Sequence, residues 1–167
     1  MVIELPPLAG EKDALREAFG CFPSGVTAVC ALIGGVPTGM AASSFTSVSV
    51  DPPLVSVCVQ NTSTTWPKLR PRARLGVSVL AEGHDAQCRS LSRKEGDRFA
   101  GVSWAATAGG AVYIHGATAW LDCSIEREVP AGDHSIALLR IHGLRANPGA
   151  APLIFHGSRF RTLAAIN

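Results

Sequence analysis

TGMAASSFTSVSVDPP, residues 38–53, is followed by the apolar run LVSVCV at 54–59 and by NTSTT at 61–65. The first stretch places small hydroxyl and methyl side chains around a single phenylalanine, Phe45. Because these side chains have little bulk, backbone N–H and C=O groups are left open to a molecule that docks alongside. The run at 54–59 places alternate valines on one face, which predicts a buried strand.

The polar segment at 61–65 leads into Trp66-Pro67-Lys68-Leu69, which has the pattern of a helix start. Proline is favoured at the first helical position, and a preceding Ser or Thr can cap the helix. A helix N-terminus attracts anions. One segment therefore suits a flat ring with polar edges and the next suits its phosphate, which favours a mononucleotide such as a flavin over a peptide or a metal.

The composition indicates a globular protein. Of 167 residues, 47% are hydrophobic and 17% are charged, and the net charge is +2. We expect one domain over residues 1–167, with residues 1–12 forming a loose N-terminal arm. No apolar run approaches the length of a membrane span, and no basic region precedes an apolar stretch at the N-terminus, so we expect a cytoplasmic protein without a membrane partner.

Cysteine and charge patterns exclude other classes of function. The five cysteines are odd in number and form no CxxC pair, so we expect reduced, mostly buried thiols. The histidines do not join them at metal-ligand spacing, so we expect no metal. The basic residues at 68–74 are interpreted as a solvated helix end, with a phosphate contact as an alternative, and we expect no nucleic-acid partner.

The periodicity predicts a mainly β protein. Short helices are predicted at residues 11–19, 65–70 and 83–92. Strands are predicted at residues 26–33, 36–42, 44–50, 54–59, 75–80, 102–104, 116–129, 134–144 and 153–163. Most strands follow one another without an intervening helix, which favours an antiparallel barrel with peripheral helices over a doubly wound parallel sheet. Neither the dinucleotide-binding glycine motif nor a P-loop is present.

Several short motifs occur in an order that resembles the short-chain flavin reductase family, the reductase components of two-component flavin-dependent monooxygenases. They are Phe22-x-x-Gly25-Val26-Thr27, TGMAASSF at 38–45, SVS at 47–49 with Pro52-Pro53, Asp97-Arg98-Phe99, Leu121-Asp122-Cys123, Gly132-Asp133-His134 and Pro152-Leu153-Ile154-Phe155. The resemblance covers about residues 14–160. Three positions depart from the family pattern: Leu139, the segment at 88–91, and His156.

The resemblance implies an FMN-binding split β-barrel, antiparallel and Greek-key-like, that forms a homodimer. It implies an enzyme that transfers a hydride from NADH or NADPH to FMN, or to FAD in some members, and supplies reduced flavin to a separate monooxygenase. The choices between FMN and FAD and between NADH and NADPH are left open by the sequence.

The resemblance also assigns site residues. His134 would position the nicotinamide and is the candidate proton donor. The flavin would contact Thr38, Gly39, Met40, Ala41, Ala42, Ser43, Ser44, Phe45, Ser47, Val48, Ser49, Asn61, Ser63, Thr64, Arg98 and Phe99. Of these, Asn61, Ser63 and Thr64 would meet its phosphate.

Each assignment has a structural alternative. The serines at 43, 44 and 47 can bond local backbone, and the segment at 61–64 can act as a helix cap. His134 can be a structural hydrogen-bonding group held by Asp133. Two alternative functions are a non-catalytic flavin-binding protein and a flavoenzyme similar to pyridoxamine-phosphate oxidase.

Overall fold

Residues 1–8, 10 and 12–166 are described by the computed structural model. The described residues form three helices, α1 (Lys12–Gly20), α2 (Trp66–Leu69) and α3 (Asp85–Leu91). The strands are β1 (Ser24–Gly25), β2 (Thr27–Ile33), β3 (Val36–Ala42), β4 (Thr46–Ser49), β5 (Leu54–Gln60), β6 (Leu75–Val79), β7 (Trp104–Ala106), β8 (Val112–Ile114), β9 (Ala119–Ala131), β10 (His134–Ala146), β11 (Ile154–His156) and β12 (Arg159–Arg161). None of the described helices is long and apolar enough to cross a bilayer.

One seven-stranded sheet, in the order β3-β2-β6-β9-β10-β5-β4, organises the fold. Every neighbouring pair in it is antiparallel, as the sequence predicts. The sheet curls so that the end of β3 meets β5 near the opposite edge. There the hydroxyl of Ser44 donates to the carbonyl of Cys58 (3.1 Å) and accepts from its N–H (2.8 Å), so a side chain links the two ends of the sheet.

Strand β2 is buried on both faces, which explains its continuous apolar run. Val29 and Ala31 point into a cluster inside the curled sheet together with Val57, Val77 and Leu139. The alternate residues of β2 belong to a second cluster on the other face. That cluster also contains residues of α3, β8 and β11, together with Leu153, which precedes β11 in the chain. The sheet therefore separates two cores, and α3 covers the outer one.

The second core is closed by two smaller sheets that the sequence predicts incompletely. The apolar piece at 153–163 is two strands, β11 and β12, joined by a turn at Gly157 and Ser158, and β11 pairs with β1. Strands β7 and β8 form a hairpin of which only the start was predicted. The strand predicted at 44–50 is shorter, because the chain bends before Thr46.

The N-terminal prediction is only partly testable. The helix predicted at 11–19 corresponds to α1, and its predicted first residue lies outside the described residues. Residues 1–8 have no helix or strand and are exposed. The loose arm therefore stays a prediction.

The cysteines behave as small apolar side chains. All five are free thiols. Burial raises the pKa of Cys30 and of Cys123 to about 12. These two thiols therefore stay protonated at neutral pH. Of the other cysteines, Cys21 is exposed and Cys58 is partly exposed.

Gly76 permits the close contact between β6 and β8. A Cβ atom at this position would overlap the backbone of Val112. Backbone of a paired strand cannot move aside without disturbing the hairpin. We therefore expect Gly76→Ala to lower the free energy of unfolding by about 1–3 kcal/mol, the usual cost of overpacking.

Chemical denaturation measures this effect as a lower midpoint at an unchanged slope. Gly25→Ala is the matched control, because a Cβ at Gly25 meets no atom within 4 Å. Equal midpoints for the two variants would show that β8 does not pack this tightly on β6.

Candidate active site

A cavity of about 700 Å³ opens where the end of β3, the end of β5, the loop at 62–65 and the start of β10 meet. It is lined by Met40, Ala41, Ala42, Ser43, Ser44, Cys58, Val59, Gln60, Thr62, Ser63, Thr64, Thr65, Leu91, Ser92, Lys94, Arg98 and His134. Its volume falls in the range of ordinary small-molecule and cofactor sites. Nine predicted site residues therefore meet at one cavity: the five at 40–44, Ser63, Thr64, Arg98 and His134.

Small side chains form one wall of the cavity. Residues 40–44 leave β3 and enter the bend before β4, so their backbone groups are not all used by strand pairing. The hydroxyl of Ser44 forms its hydrogen bonds with the backbone of Cys58. For Ser44, therefore, the structural alternative of bonding local backbone applies. Ser43 is exposed, and its hydroxyl makes no hydrogen bond with the described protein. Ser43 is thus the free hydroxyl of this wall.

The loop at 62–65 forms the polar end of the cavity. The hydroxyl of Ser63 accepts a hydrogen bond from the N–H of Trp66 (3.1 Å), whereas Thr65 makes no side-chain cap. The capping alternative therefore applies to Ser63. Helix α2 has only four residues, so its dipole contributes little and the anion preference predicted for its N-terminus has to come from neighbouring side chains.

Two cations supply that preference. Arg98 and Lys94 both line the cavity beside Thr64. The guanidinium of Arg98 donates to the carbonyl of Gly39 (3.2 Å), which holds it against the start of the small-residue wall. Neither cation forms an ion pair with a carboxylate in the part of the chain that the structure describes.

His134 lines the same cavity from the first position of β10, where it pairs with Gln60 of β5. Its Nδ1 lies 2.7 Å from Oδ1 of Asp133, and its side chain is 35% exposed. The hydrogen bond from His134 holds the pKa of the Asp133 carboxyl below its usual range, so this carboxylate is ionised at neutral pH. The ionised carboxylate fixes the orientation of the imidazole and leaves Nε2 available to the cavity.

Asn61, which was predicted to meet a phosphate, does not line this cavity. Its Nδ2 donates to the carbonyl of Gly132 (3.1 Å), its Oδ1 accepts from Ser135 (3.2 Å), and its N–H donates to the carbonyl of Asp133 (2.9 Å). Asn61 therefore holds the turn that carries His134. The second N–H of its side-chain amide has no partner in the described protein, so the phosphate contact of Asn61 stays a prediction.

The residues of β4 are also placed away from the cavity. Strand β4 pairs with the first half of β5, Ser47 with Val55 and Ser49 with Leu54, whereas the cavity lies at the other end of β5. Val48 is 48% exposed. Ser47, Val48 and Ser49 therefore do not line this cavity, and their contacts with a flavin stay a prediction.

Phe45 packs against the inner core cluster and does not line the cavity. The remaining predicted residues, Thr38, Gly39 and Phe99, line a smaller adjoining cavity of about 220 Å³. Phe99 is buried in the outer core, and its N–H donates to Asp97.

Sequence reasoning missed several lining residues: Cys58, Val59, Gln60, Thr62, Thr65, Leu91, Ser92 and Lys94. The polar segment that contains Thr62 and Thr65 was predicted to suit a phosphate, so these two positions could have been predicted as site residues. Lys94 lies in the charged segment SRKEGDRF at 92–99, four residues before Arg98. Its basic residues next to the predicted Arg98 were the available signal.

The curled antiparallel sheet with its cavity has the architecture of a split barrel, and comparisons with known proteins agree. Residues 19–164 match the flavin reductase like domain. An NADH-dependent FAD reductase of Streptomyces globisporus is 41% identical over 168 residues, covering 95% of this chain and 92% of the relative. The reductase subunit of a flavin-dependent monooxygenase of Rhodococcus jostii is 34% identical over 145 residues, covering 87% and 74%.

The solved structure of a Streptomyces globisporus NADH:FAD oxidoreductase in complex with NAD and FAD fragments superposes with a TM-score of 0.88 at 38% identity. The match covers 97% of this chain and 98% of that one. The chain belongs to the flavin reductase like family, and the split-barrel prediction is confirmed.

The two neighbouring serines of the wall give a matched test. Ser44→Ala removes the partner of both backbone groups of Cys58, so we expect unfolding to become easier by about 1–3 kcal/mol. Ser43→Ala removes a hydroxyl with no protein partner, and we expect its unfolding midpoint to stay within experimental error. Denaturant titration of both variants checks the difference, and equal stabilities would contradict the link between β3 and β5.

Proposed function

We propose that the protein is an NAD(P)H:flavin oxidoreductase that transfers a hydride from NADH or NADPH to FMN or FAD and supplies reduced flavin to a partner monooxygenase. One observation carries the proposal. A single cavity joins a wall of small residues, an end with hydroxyls and cations, and a histidine oriented by a carboxylate.

The small-residue wall fits a flat ring. Ala41 and Ala42 leave space above the strand, and Ser43 offers a free hydroxyl with the backbone groups of the bend. A bound flavin would supply the ring that accepts the hydride, and the protein supplies position and polarity. Hydrogen-bond donors on this wall would favour the negative charge that the ring gains on reduction.

The polar end fits the phosphate tail. Thr62 and Thr64 offer hydroxyls, and Lys94 and Arg98 offer positive charge that no carboxylate neutralises in the described chain. Charge-assisted hydrogen bonds of this kind are stronger than neutral ones. The tail would thereby be anchored, and the ring would lie along the small-residue wall of the same cavity, which His134 also lines.

His134 is proposed to position the nicotinamide. The two reacting rings have to stack with their reacting atoms about 3–3.5 Å apart, so the second ring has to enter over the first. The imidazole lines the cavity, with Nδ1 bonded to Asp133 and Nε2 without a partner in the described protein, so Nε2 can bond or pack on the arriving ring. Only the imidazolium form, which carries a proton on Nε2 as well, would act as a proton donor to reduced flavin.

The proposal of a monooxygenase partner rests on a relative of this chain. The relative from Rhodococcus jostii is named as a monooxygenase reductase subunit, and we extend a monooxygenase partner to this chain. Hydroxylated product formed by such an oxygenase when this protein, flavin and NADH are added would support it, and absence of product would oppose it.

We also propose a homodimer, since Phe22 and Val50 are 78% and 94% exposed apolar side chains. Light scattering that gave only the 17.4 kDa monomer would refute the dimer.

Steady-state oxidation of NADH or NADPH in air, followed at the nicotinamide absorbance band, tests the activity. We expect turnover that depends on added FMN or FAD and saturates with each substrate. Flavin binding without nicotinamide oxidation would instead support a non-catalytic flavin-binding protein.

His134→Ala separates the positioning role from a structural one. We expect the KM for NADH to rise about tenfold, equivalent to about 1.4 kcal/mol of lost binding. The flavin dissociation constant, measured by fluorescence quenching, should stay within about twofold, because the proposed flavin contacts are made by other residues of the cavity.

The control is His142→Ala. His142 lies on the same strand, bonds Ser124 (2.7 Å) and lines none of the cavities described here. Identical kinetics for the two variants and the unmodified protein would mean that His134 is only structural.

A further inference from the structure

Gln60 is the last residue of β5 and lines the main cavity. Side chains alternate along this strand: Val57 and Val59 are buried in the inner core, so Cys58 and Gln60 project from the opposite face. Their exposure agrees with this, because Cys58 is only partly buried and Gln60 is exposed. The amide of Gln60 therefore lies on the cavity side of the strand.

The pairing of β5 with β10 places Gln60 directly opposite His134. Opposite residues of an antiparallel pair project to the same face, with their Cβ atoms about 4.5–5.5 Å apart. Both residues line the main cavity. The amide of Gln60 therefore lies beside the imidazole that is proposed to position the nicotinamide.

The side-chain amide of Gln60 is free to bind a ligand. Ser44 bonds the backbone of β5, and Asn61 bonds the turn before β10, whereas the amide of Gln60 has no hydrogen-bond partner among the described residues. A primary amide offers two N–H donors and one carbonyl acceptor without a charge. Its complement is a neutral group that also carries both a donor and an acceptor, such as another carboxamide.

The small-residue wall lies close to Gln60 along β5. The hydroxyl of Ser44 bonds the backbone of Cys58, two residues before Gln60. Two residues of strand span about 7 Å. The side chain of Gln60 can therefore reach a substituent of a nicotinamide that stacks over a flavin on this wall.

We propose that Gln60 binds the carboxamide of the nicotinamide through paired amide hydrogen bonds and is a specificity-determining residue for the hydride donor. This inference rests on the proposed function. The imidazole of His134 has only Nε2 left for a ligand, so it cannot satisfy both the donor and the acceptor of a carboxamide. Gln60 satisfies both, and thereby fixes the rotation of the nicotinamide ring over the flavin.

Turnover with NADH and with its reduced 3-acetylpyridine analogue tests the inference, because the analogue carries a methyl group in place of the carboxamide NH2. Gln60→Met keeps the length of the side chain and removes the amide. Gln87→Met is the matched control, since Gln87 lies on α3 and lines neither the main cavity nor the adjoining one. The measured quantity is kcat/KM for NADH divided by kcat/KM for the analogue. Comparing this ratio between variants removes the intrinsic difference in hydride-donor strength between the two dinucleotides.

We expect the ratio to fall about fivefold in Gln60→Met, which is the order of one neutral hydrogen bond, and to stay within about twofold in Gln87→Met. The flavin dissociation constant should stay within about twofold in both variants. An unchanged ratio in Gln60→Met would overturn the inference, whether or not the overall activity falls. An equal fall of the ratio in Gln87→Met would overturn it as well, and so would a fall in His134→Ala without one in Gln60→Met, which would assign the carboxamide to His134.

Oxidation of NADH and of NADPH with FMN and with FAD is measured in the same preparations, and the analogue of NADPH is used if NADPH is the better donor. If the donor is oxidised but the ratio does not change in Gln60→Met, only the inference about Gln60 fails. If neither donor is oxidised with either flavin, the proposed function itself fails.

Discussion

The two hydrogen bonds between the Ser44 hydroxyl and the backbone of Cys58 are the constraint on which the site depends. Strand β4 covers the edge of β5 only as far as Ser56. Beyond that residue the edge would be left unpaired, and the side chain of Ser44 replaces the missing strand. The chain can therefore bend at residues 43–45, and the open cavity lies beside the bend.

The loop at 62–65 and His134 are tied to each other through the protein. Asn61 bonds the turn before His134, so the segment that leads into this loop also holds the turn that carries the imidazole. Glu128, on β9, accepts from the indole N–H of Trp66 (2.7 Å) and pairs with Arg70 (2.6 Å), which fixes α2 against the same hairpin. These contacts would fix the proposed phosphate and nicotinamide contacts relative to each other, as hydride transfer between two stacked rings requires.

Much of this arrangement was predictable from the sequence, because it depends on local pattern. The alternating valines of β5 and the apolar run of β2 identify strands, and the small residues at 40–44 identify an open wall. The placement of Asn61 was not predictable in the same way. Its partners, Gly132 and Ser135, lie more than seventy residues away in the sequence, and only the pairing of β5 with β10 brings them together.

The position of β4 has a related cause. Ser47 to Ser49 continue the composition of the wall, but β4 pairs with the first half of β5, away from the cavity. Lys94 was not predicted, because its segment has no periodicity. It becomes a candidate site residue only when the fold brings it to the same cavity as Thr64.

A crystal structure of the protein with bound flavin tests the central claim most directly. The account predicts the ring against residues 41–44, its open face towards His134, and its first phosphate between the loop at 62–65 and Arg98. A flavin bound elsewhere, or a wall at 41–44 closed to the ring in the complex, would contradict it.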